Sequence, residues 1–285
     1  MTGRLVTVVD PGPLTTVQDR GRPGWAHLGV PRSGALDQPA ASLGNRLVGN
    51  EETDAVLEAM VGGLALEVST AMTAAVTGAH AVVEVDGRRQ AFGEPVSVRG
   101  GQTLRIAGLH WGLRCYVALA GGVDVPVVLG SRATDTLSGI GPAPLAAGDQ
   151  LPIGPPRGRP RGSDVDVSAP PPSPVTLRVG RGPRDDWFSG AALETLSRAT
   201  YTVSADSNRI GLRLDGPALE RARVEELPSE GIVLGAVQVP AAGTPLVFLN
   251  DHPTTGGYPV LGVVDPHDLP ACAQLSPGDR VRLRA

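Results

Sequence analysis

Short runs in which apolar and polar residues alternate recur along most of the chain. A period of two places every second side chain on one face, which is typical of β-strands with one buried face. The runs are RLVTVV, LALEV, TAAVT, VVEV, TLRI and RCYVALA in the first half, and VTLRV, YTV, GLRL, AVQV, PLVFL, VLGVV and VRLR in the second. The pattern predicts a mainly β chain.

Helical spacing is confined to a few short segments. One helix is predicted from Asp37 to Val48, because Asp37 can cap it, Pro39 suits its first turn and Gly49 can end it. A second helix is predicted to start near Ser189. Their apolar stripes are Leu36, Ala40, Leu43 and Leu47 in the first and Ala192, Leu193 and Leu196 in the second.

One segment lacks the side chains needed for a core. Residues 154–174, GPPRGRPRGSDVDVSAPPPSP, contain no large apolar residue except two valines. Such a segment buries too little surface to fold by itself, so it is interpreted as a linker or a long surface loop. The chain of 285 residues is long enough for two modest domains. We therefore predict a β domain at 1–153, a linker at 154–174 and a β-barrel domain at 175–285.

Composition excludes several classes of partner. The formal net charge is -4, and the basic residues form no long runs, so we expect no nucleic acid and no anionic membrane surface as a partner. No stretch has the length of a membrane span, and the first residues lack the apolar core of a signal peptide. The expected location is cytoplasmic.

All 25 basic residues are arginine, and lysine is absent. The chain therefore cannot form a lysine Schiff base, carry biotin covalently on lysine or supply a P-loop lysine. Cys115 and Cys272 are far apart and have no zinc-type spacing, so no metal site is expected. Cys115 lies in an apolar run and is predicted to be a buried thiol rather than a nucleophile.

The motifs of the common hydrolases and nucleotide-binding folds are absent from the sequence, which has no GxSxG, HExxH or GxxxxGK, and no GxGxxG after a strand. Candidate chemistry is therefore confined to polar loops. The richest is NDHPTTGGYP at 250–259, which lies between two apolar runs. It is either a ligand-binding loop or a hairpin connection whose polar residues cap turns.

Within this loop the candidate catalytic residues are Asp251, His252 and Tyr258. His252 could carry a proton near neutral pH, and Tyr258 could donate to a developing oxyanion. Asp251 and His252 would point to opposite faces of an extended strand, although a turn could bring them together. The candidate substrate-binding residues here are Thr254, Thr255, Gly256 and Gly257, with Gln238 from the run AVQVP, and Ser229 and Glu230 from LPSEGI are added to the cluster.

Two further clusters lie in the first half. Gln18 and Arg20 lie in PGPLTTVQDRGRPG, and Arg32 and Ser33 follow in GVPRSGALD. Arg20 and Arg32 could clamp a carboxylate or phosphate, or Arg20 could instead pair with Asp19 at a surface turn. The other cluster is LGSRATD, whose residues could contact a ligand or cap a turn, namely Ser131, Arg132 and Asp135.

Together these segments resemble a known family. The order PGxxTTVQDxGRxG, GVPxSGAxD, GGxDVPxxLGSRxTD, GxxxGxxQVPxxGxP and DxxTTGGYP is similar to that of the KipA or AHS2 family, which includes the C subunit of bacterial 5-oxoprolinase. The same family includes part of the carboxyltransferase domain of urea carboxylase and the second of the allophanate-hydrolase-type subunits. The match runs from about residue 11 to about residue 278.

The resemblance implies two cyclophilin-like β-barrel domains and a heterocomplex with two other proteins, a KipI-like subunit, which is the B component, and a LamB/YcsF-like subunit, which is the A component. It implies a share in ATP-dependent opening of 5-oxo-L-proline to L-glutamate. Because the chain has no recognisable nucleotide motif of its own, we expect ATP to be bound largely outside it and the chain to be inactive alone. Two alternatives follow from the same family. One is an allophanate-hydrolase or urea-carboxylase type of carboxyltransferase component, for which biotin must arrive on a separate carrier. The other is a regulatory protein that antagonises a KipI-type kinase inhibitor.

Overall fold

The computed structural model describes residues 3–162, 170, 172–223 and 225–284. The chain divides into two compact units. The first consists of the residues up to Arg22, Ser33–Asp135 and Gly139–Pro170, and the second of Pro23–Arg32, Thr136–Ser138 and the remainder of the chain. Two short segments within the predicted 1–153 domain thus group with the second unit.

The first unit is built on a nine-stranded, curled sheet. Its strands are β1 (Leu5–Pro11), β2 (Leu14–Gln18), β3 (Val56–Met60), β4 (Leu64–Val68), β5 (Met72–Val85), β6 (Arg88–Gln90), β7 (Val96–Val98), β8 (Thr103–Leu119) and β9 (Gln150–Pro152). They follow the order β2-β3-β8-β4-β1-β9, and β5 pairs with β6, β7 and β8. The long antiparallel pair β5 and β8 forms the centre of this unit and carries much of its aliphatic core.

The helix predicted from Asp37 to Val48 is observed as α1 (Gln38–Val48). It packs on this sheet. Asp37 accepts a hydrogen bond from the Ala40 amide at 3.0 Å, and Gly49 ends the helix in the left-handed conformation. The buried face is displaced from the predicted stripe: Leu47 is buried as predicted, Ala40 and Leu43 are only half-buried, and Ala41, Gly44 and Val48 are buried as well. Gly44 belongs there because a Cβ at this position would lie 3.1 Å from the Thr77 hydroxyl.

The second unit contains a closed barrel of order β10-β17-β14-β15-β12-β11-β18. The strands of the second unit are β10 (Val175–Arg181), β11 (Tyr201–Val203), β12 (Gly211–Asp215), β13 (Glu230–Gly231), β14 (Ala236–Gln238), β15 (Leu246–Phe248), β16 (Thr255–Gly256), β17 (Val260–Val264) and β18 (Arg280–Arg284). Strands β13 and β16 form a separate two-stranded sheet. The helices of this unit are α2 (Gly190–Arg198) and α3 (Leu269–Gln274). Ser189 caps α2 by accepting from the Ala192 amide at 3.1 Å, at the predicted start.

The prediction of a mainly β chain with barrel-type domains and a few short helices is confirmed. The runs TLRI and RCYVALA prove to be parts of one strand, β8. Short 3-10 turns occur at Ala26–Leu28 and Asp185–Trp187.

The predicted linker at 154–174 lies partly outside the described residues, which omit 163–169 and 171. Its first part is tied to the first unit. The Arg161 amide donates to the Leu47 carbonyl at 2.8 Å, and the Arg157 guanidinium lies 3.0 Å from an Asp54 carboxylate oxygen. Residues 157–161 therefore run beside the end of α1.

No helix in the described parts of the chain is both long and apolar enough to cross a membrane. In the same parts, no three His, Cys, Asp or Glu side chains are grouped so that they could hold a metal ion. Cys115 is fully buried, as predicted, and desolvation raises the pKa of its thiol to about 12.

Candidate functional site

Asp19 organises the candidate residues of the first unit. Its Oδ1 accepts hydrogen bonds from the Gly21 amide at 2.7 Å and from the Ser131 hydroxyl at 2.6 Å, while Oδ2 accepts from the Arg132 amide at 2.6 Å. One carboxylate therefore joins the end of β2 to the loop 129–135. This contact brings two of the sequence-predicted clusters together.

Gln18 lies at the end of β2 and is 0% exposed. Its Nε2 donates to the Thr16 hydroxyl at 3.0 Å and to the Thr134 carbonyl at 3.1 Å. Gln18 Oε1 and the Thr134 hydroxyl are buried without a hydrogen-bond partner among the described residues. Uncompensated polar atoms of this kind are costly and recur at functional sites.

Ser33 is connected to the loop 129–135 by the side chain of Arg22, a residue that the sequence analysis does not identify as a candidate. The buried Arg22 guanidinium donates to the Ser33 hydroxyl at 2.9 Å and to the Ala133 carbonyl. Ser33 has a φ of 52°, in the left-handed region that few residues other than glycine adopt. At Gly34 a Cβ would lie 2.7 Å from the Gly21 nitrogen, so the backbones must approach closely here. Buried Arg22 and this close approach hold Ser33 in its strained conformation.

Arg20 points away from this cluster. It is 55% exposed and forms an ion pair with Glu52 at 3.1 Å, rather than with Asp19. The Arg132 guanidinium donates to Asp124 at 2.7 Å and to the Val125 carbonyl at 2.8 Å, so its side chain fastens the preceding loop. Asp135 is buried, and its backbone closes a turn with Gly139 and Ile140. The proposed clamp of Arg20 with Arg32 is not observed within either unit, because Arg32 belongs to the second.

In the second unit, Asp251 is a buried anchor. Its two oxygens lie 2.9 and 3.1 Å from Arg209 Nε and Nη2, and the two side chains are 0% and 2% exposed. Asp251 also accepts from the amide of Thr136 at 3.0 Å and from its hydroxyl at 2.7 Å. This geometry holds the segment 136–138 on the barrel unit, so Asp251 positions backbone and side chains around it.

His252 follows in a turn and is also buried. Its Nδ1 lies 2.7 Å from the Pro253 carbonyl oxygen, which makes Nδ1 the protonated nitrogen in a neutral ring. The Phe248 ring lies 6.1 Å away, centroid to centroid. Asp251 and His252 are thus held by different neighbours.

The loop from Thr254 to Tyr258 is fixed by strand pairing. Strand β16 pairs with β13, and the Thr254 carbonyl accepts from the Ile232 amide at 2.9 Å. Glu230 on β13 binds Arg184, and this hydrogen-bonded partner lowers the pKa of the Glu230 carboxyl. The sequence places Glu230 in the cluster, whereas Arg184 carries no recognisable signal.

The two loop glycines do not form a left-handed turn. Neither Gly256 nor Gly257 has a positive φ. Gly256 instead makes room for Gln238, since a Cβ there would lie 2.9 Å from Gln238 Nε2. The same Nε2 donates to the Tyr258 carbonyl at 3.0 Å, which places Gln238 directly beneath the loop.

Tyr258 is the candidate catalytic residue that reaches solvent, with 47% exposure. The Arg221 guanidinium carbon lies 5.7 Å from its ring centroid, within the range of a cation–π contact. Arg221 Nη2 also donates to the Val239 carbonyl at 2.6 Å. The loop therefore presents a phenol beside a positive charge, an arrangement suited to an anionic ligand or a developing oxyanion.

Comparisons with known proteins identify the family of the chain. Residues 28–285 match the family described as carboxyltransferase domain, subdomain A and B. The chain is 36% identical over 284 residues to the C subunit of 5-oxoprolinase from Escherichia coli, covering 97% of this chain and 90% of that protein.

Two solved structures have the same fold. The crystal structure of TTHA0988 has a TM-score of 0.90 and 36% identity, over 100% of this chain and 56% of that one. The K. lactis urea amidolyase has a TM-score of 0.92 and 29% identity, over 99% of this chain and 19% of that one. The chain therefore spans about half of the first structure and a small part of the second. With its near-complete family match, the chain belongs to the carboxyltransferase domain family, subdomains A and B.

Proposed function

We propose that this chain is the C subunit of a 5-oxoprolinase, an ATP-dependent complex that opens 5-oxo-L-proline to L-glutamate. The observation that carries the proposal is the match to the Escherichia coli protein, which covers 97% of this chain and 90% of that protein.

The reaction needs an activated amide carbonyl. In the proposed reaction ATP phosphorylates the lactam oxygen and ADP leaves, and water adds to the activated carbon. The ring C–N bond then breaks as nitrogen takes a proton, which leaves γ-glutamyl phosphate, and a second water hydrolyses this acyl phosphate to the carboxylate and free phosphate. Tyr258 can donate to the developing oxyanion, and His252 can carry the proton through the nitrogen that does not face Pro253. Because the chain has no lysine and no P-loop, ATP would be bound largely outside it.

The active form would be a heterocomplex. Its direct partner would be a KipI-like subunit, and the third component would be a LamB/YcsF-like subunit. The carboxylates of Asp19 and Asp251 are both occupied by hydrogen bonds within their own units, and this supports a chain that completes a shared site. Alone it would be inactive.

A carboxyltransferase role is the second candidate, favoured by the similarity to K. lactis urea amidolyase. That role would require a carboxyl group carried on biotin, and here biotin would have to arrive on another protein because this chain has no lysine. The identity to the amidolyase, 29%, is lower than the 36% to the 5-oxoprolinase subunit, which makes this role the weaker proposal.

The discriminating experiment is co-expression with the candidate KipI-like and LamB/YcsF-like proteins, followed by assay of the purified complex on two substrates. With 5-oxoproline we expect ATP consumption matched by glutamate release. With urea and a biotinylated carrier we expect no ATP-dependent turnover. The opposite pattern would reject the oxoprolinase assignment and support the carboxyltransferase.

A further inference from the structure

An open depression of about 490 Å³ lies in the second unit. The segment 218–223 lines it together with the turn 240–243, which is closed by a hydrogen bond from the Gly243 amide to the Pro240 carbonyl at 2.9 Å. The Leu219 amide donates to the Gly243 carbonyl at 2.8 Å and ties the two parts together. Gly243 has a φ of 81°, and a Cβ there would meet Ala218 Cβ at 2.9 Å, so this contact requires glycine.

The depression contains a positive charge without a counter-charge. Arg221 lines it, and among the described residues no carboxylate lies within ion-pair distance of Arg221. Arg221 Nε is buried without a hydrogen-bond partner in the same part of the chain. A half-buried guanidinium in this state gains from an added oxyanion, because the anion would supply both charge and acceptors.

The other charged side chains of the depression differ from Arg221. Arg223 is neutralised by Asp186 at 2.5 Å and lies over the Trp187 ring. Glu220 forms no ion pair with either arginine among the described residues. Arg221 is therefore the group in this depression that an anionic ligand would engage.

Arg221 also connects the depression with the candidate loop, since its guanidinium lies over the Tyr258 ring. We propose that the depression binds the carboxylate of a small lactam acid through Arg221, with Tyr258 beside the bound ligand. This inference rests on the proposed function, in which 5-oxoproline offers a carboxylate separate from its lactam carbonyl. The volume is within the range of small-molecule sites, about 300–1,000 Å³.

The test compares 5-oxoproline with 2-pyrrolidinone, the same lactam without a carboxylate, in the purified complex. Loss of one charge-assisted pair in Arg221→Gln should raise KM for 5-oxoproline roughly 10- to 100-fold. The rise in KM for 2-pyrrolidinone should be much smaller, because this lactam has no carboxylate to pair with Arg221. The control is Arg198→Gln on α2, where the side chain is 80% exposed. This variant should leave KM for both substrates unchanged.

Ala242→Trp provides a second variant if Arg221→Gln fails to fold. Ala242 is exposed in the turn, so a large ring should fill the depression without disturbing the Arg221 hydrogen bond to Val239. Ala242→Trp should raise KM for 5-oxoproline as Arg221→Gln does. Unchanged KM in the folded variants, or an equal loss for 2-pyrrolidinone, would overturn the inference.

Calorimetry on the full chain separates this inference from the proposed reaction. If the complex does not turn over 5-oxoproline, the proposed function fails. Binding of 5-oxoproline or glutamate that Arg221→Gln abolishes would still support a carboxylate site. Binding of inorganic phosphate instead of either acid, or of none of the three, would reject the carboxylate assignment.

Discussion

Asp19 and Asp251 show at the residue scale how little of a side chain's role can be seen in a local motif. Asp251 is a candidate catalyst from its place beside His252, but its carboxylate is occupied by Arg209, which lies 42 positions earlier in the chain. Nothing in the sequence around Arg209 indicates this pairing. The motifs therefore drew attention to these loops, while the partners that fix each carboxylate could be identified only from the fold.

The buried pair of Asp251 and Arg209 leads to a stability prediction. Asp251→Asn would leave a buried guanidinium without its carboxylate, so we expect the free energy of unfolding to fall by about 3–5 kcal/mol. Urea-induced unfolding measures the change. The matched control is Glu194→Gln, which removes an exposed pair with Arg198 and should cost less than about 0.5 kcal/mol. Equal effects of the two substitutions would show that Asp251 is not an anchor.

At the scale of elements, short apolar and alternating runs identified most strands, but strands β2 and β3 were missed. Strand β3, VLEAM, lies in the middle of the sheet and is buried at four consecutive positions, so it shows no period of two. Strand β2 buries threonines and a glutamine, which look polar in the sequence. In β5, bulges between Gly78 and Val83 interrupt the register with β8, and the sequence predicts separate runs for this one long strand. Helix α1 was predicted closely because its cap and its terminal glycine are local signals.

The cap of α1 provides a second prediction. Asp37→Ala removes the side chain that accepts from the Ala40 amide, and loss of such a cap costs about 1 kcal/mol. Asp37→Ser keeps an acceptor and should retain most of the stability. Urea unfolding of both variants checks this, and equal losses for alanine and serine would contradict a capping role.

The loop at β16 provides a third prediction. Gly256→Ala would push against the Gln238 amide that holds the Tyr258 carbonyl, and misplacing the loop should lower the activity of the complex about 10- to 100-fold. Gly231→Ala is the matched control on the paired strand β13, because a Cβ there meets nothing within 4 Å. If both variants keep full activity, the loop does not take part in the reaction.

For the whole molecule, buried acids with raised pKa values predict sensitivity to alkali. Burial raises the pKa of Cys115 from 9.0 to about 12 and that of Tyr201 from 10.0 to about 12. Burial, with Glu58 and Asp37 nearby, also raises the pKa of Tyr116. The folded chain keeps these protons while the unfolded chain releases them, so stability is full below about pH 9 and falls as pH rises towards about 12.

The measurement is the free energy of unfolding in urea between about pH 8 and about pH 11. Each group should contribute a slope approaching about 1.4 kcal/mol per pH unit once its unfolded form is ionised. Cys115→Ala should reduce the slope above about pH 9, whatever its effect on stability at neutral pH. A slope identical to that of the unsubstituted chain would show that the Cys115 thiol ionises as easily in the folded state.

The proposed activity belongs to the complex as a whole, and omission of this chain from the complex tests it most directly. The KipI-like and LamB/YcsF-like proteins would be purified with and without it, and glutamate and ADP would be measured from 5-oxoproline and ATP. We predict that both products form in matching amounts only when the chain is present, and that the chain alone forms neither. Equal glutamate release by the two other proteins in its absence would contradict the account.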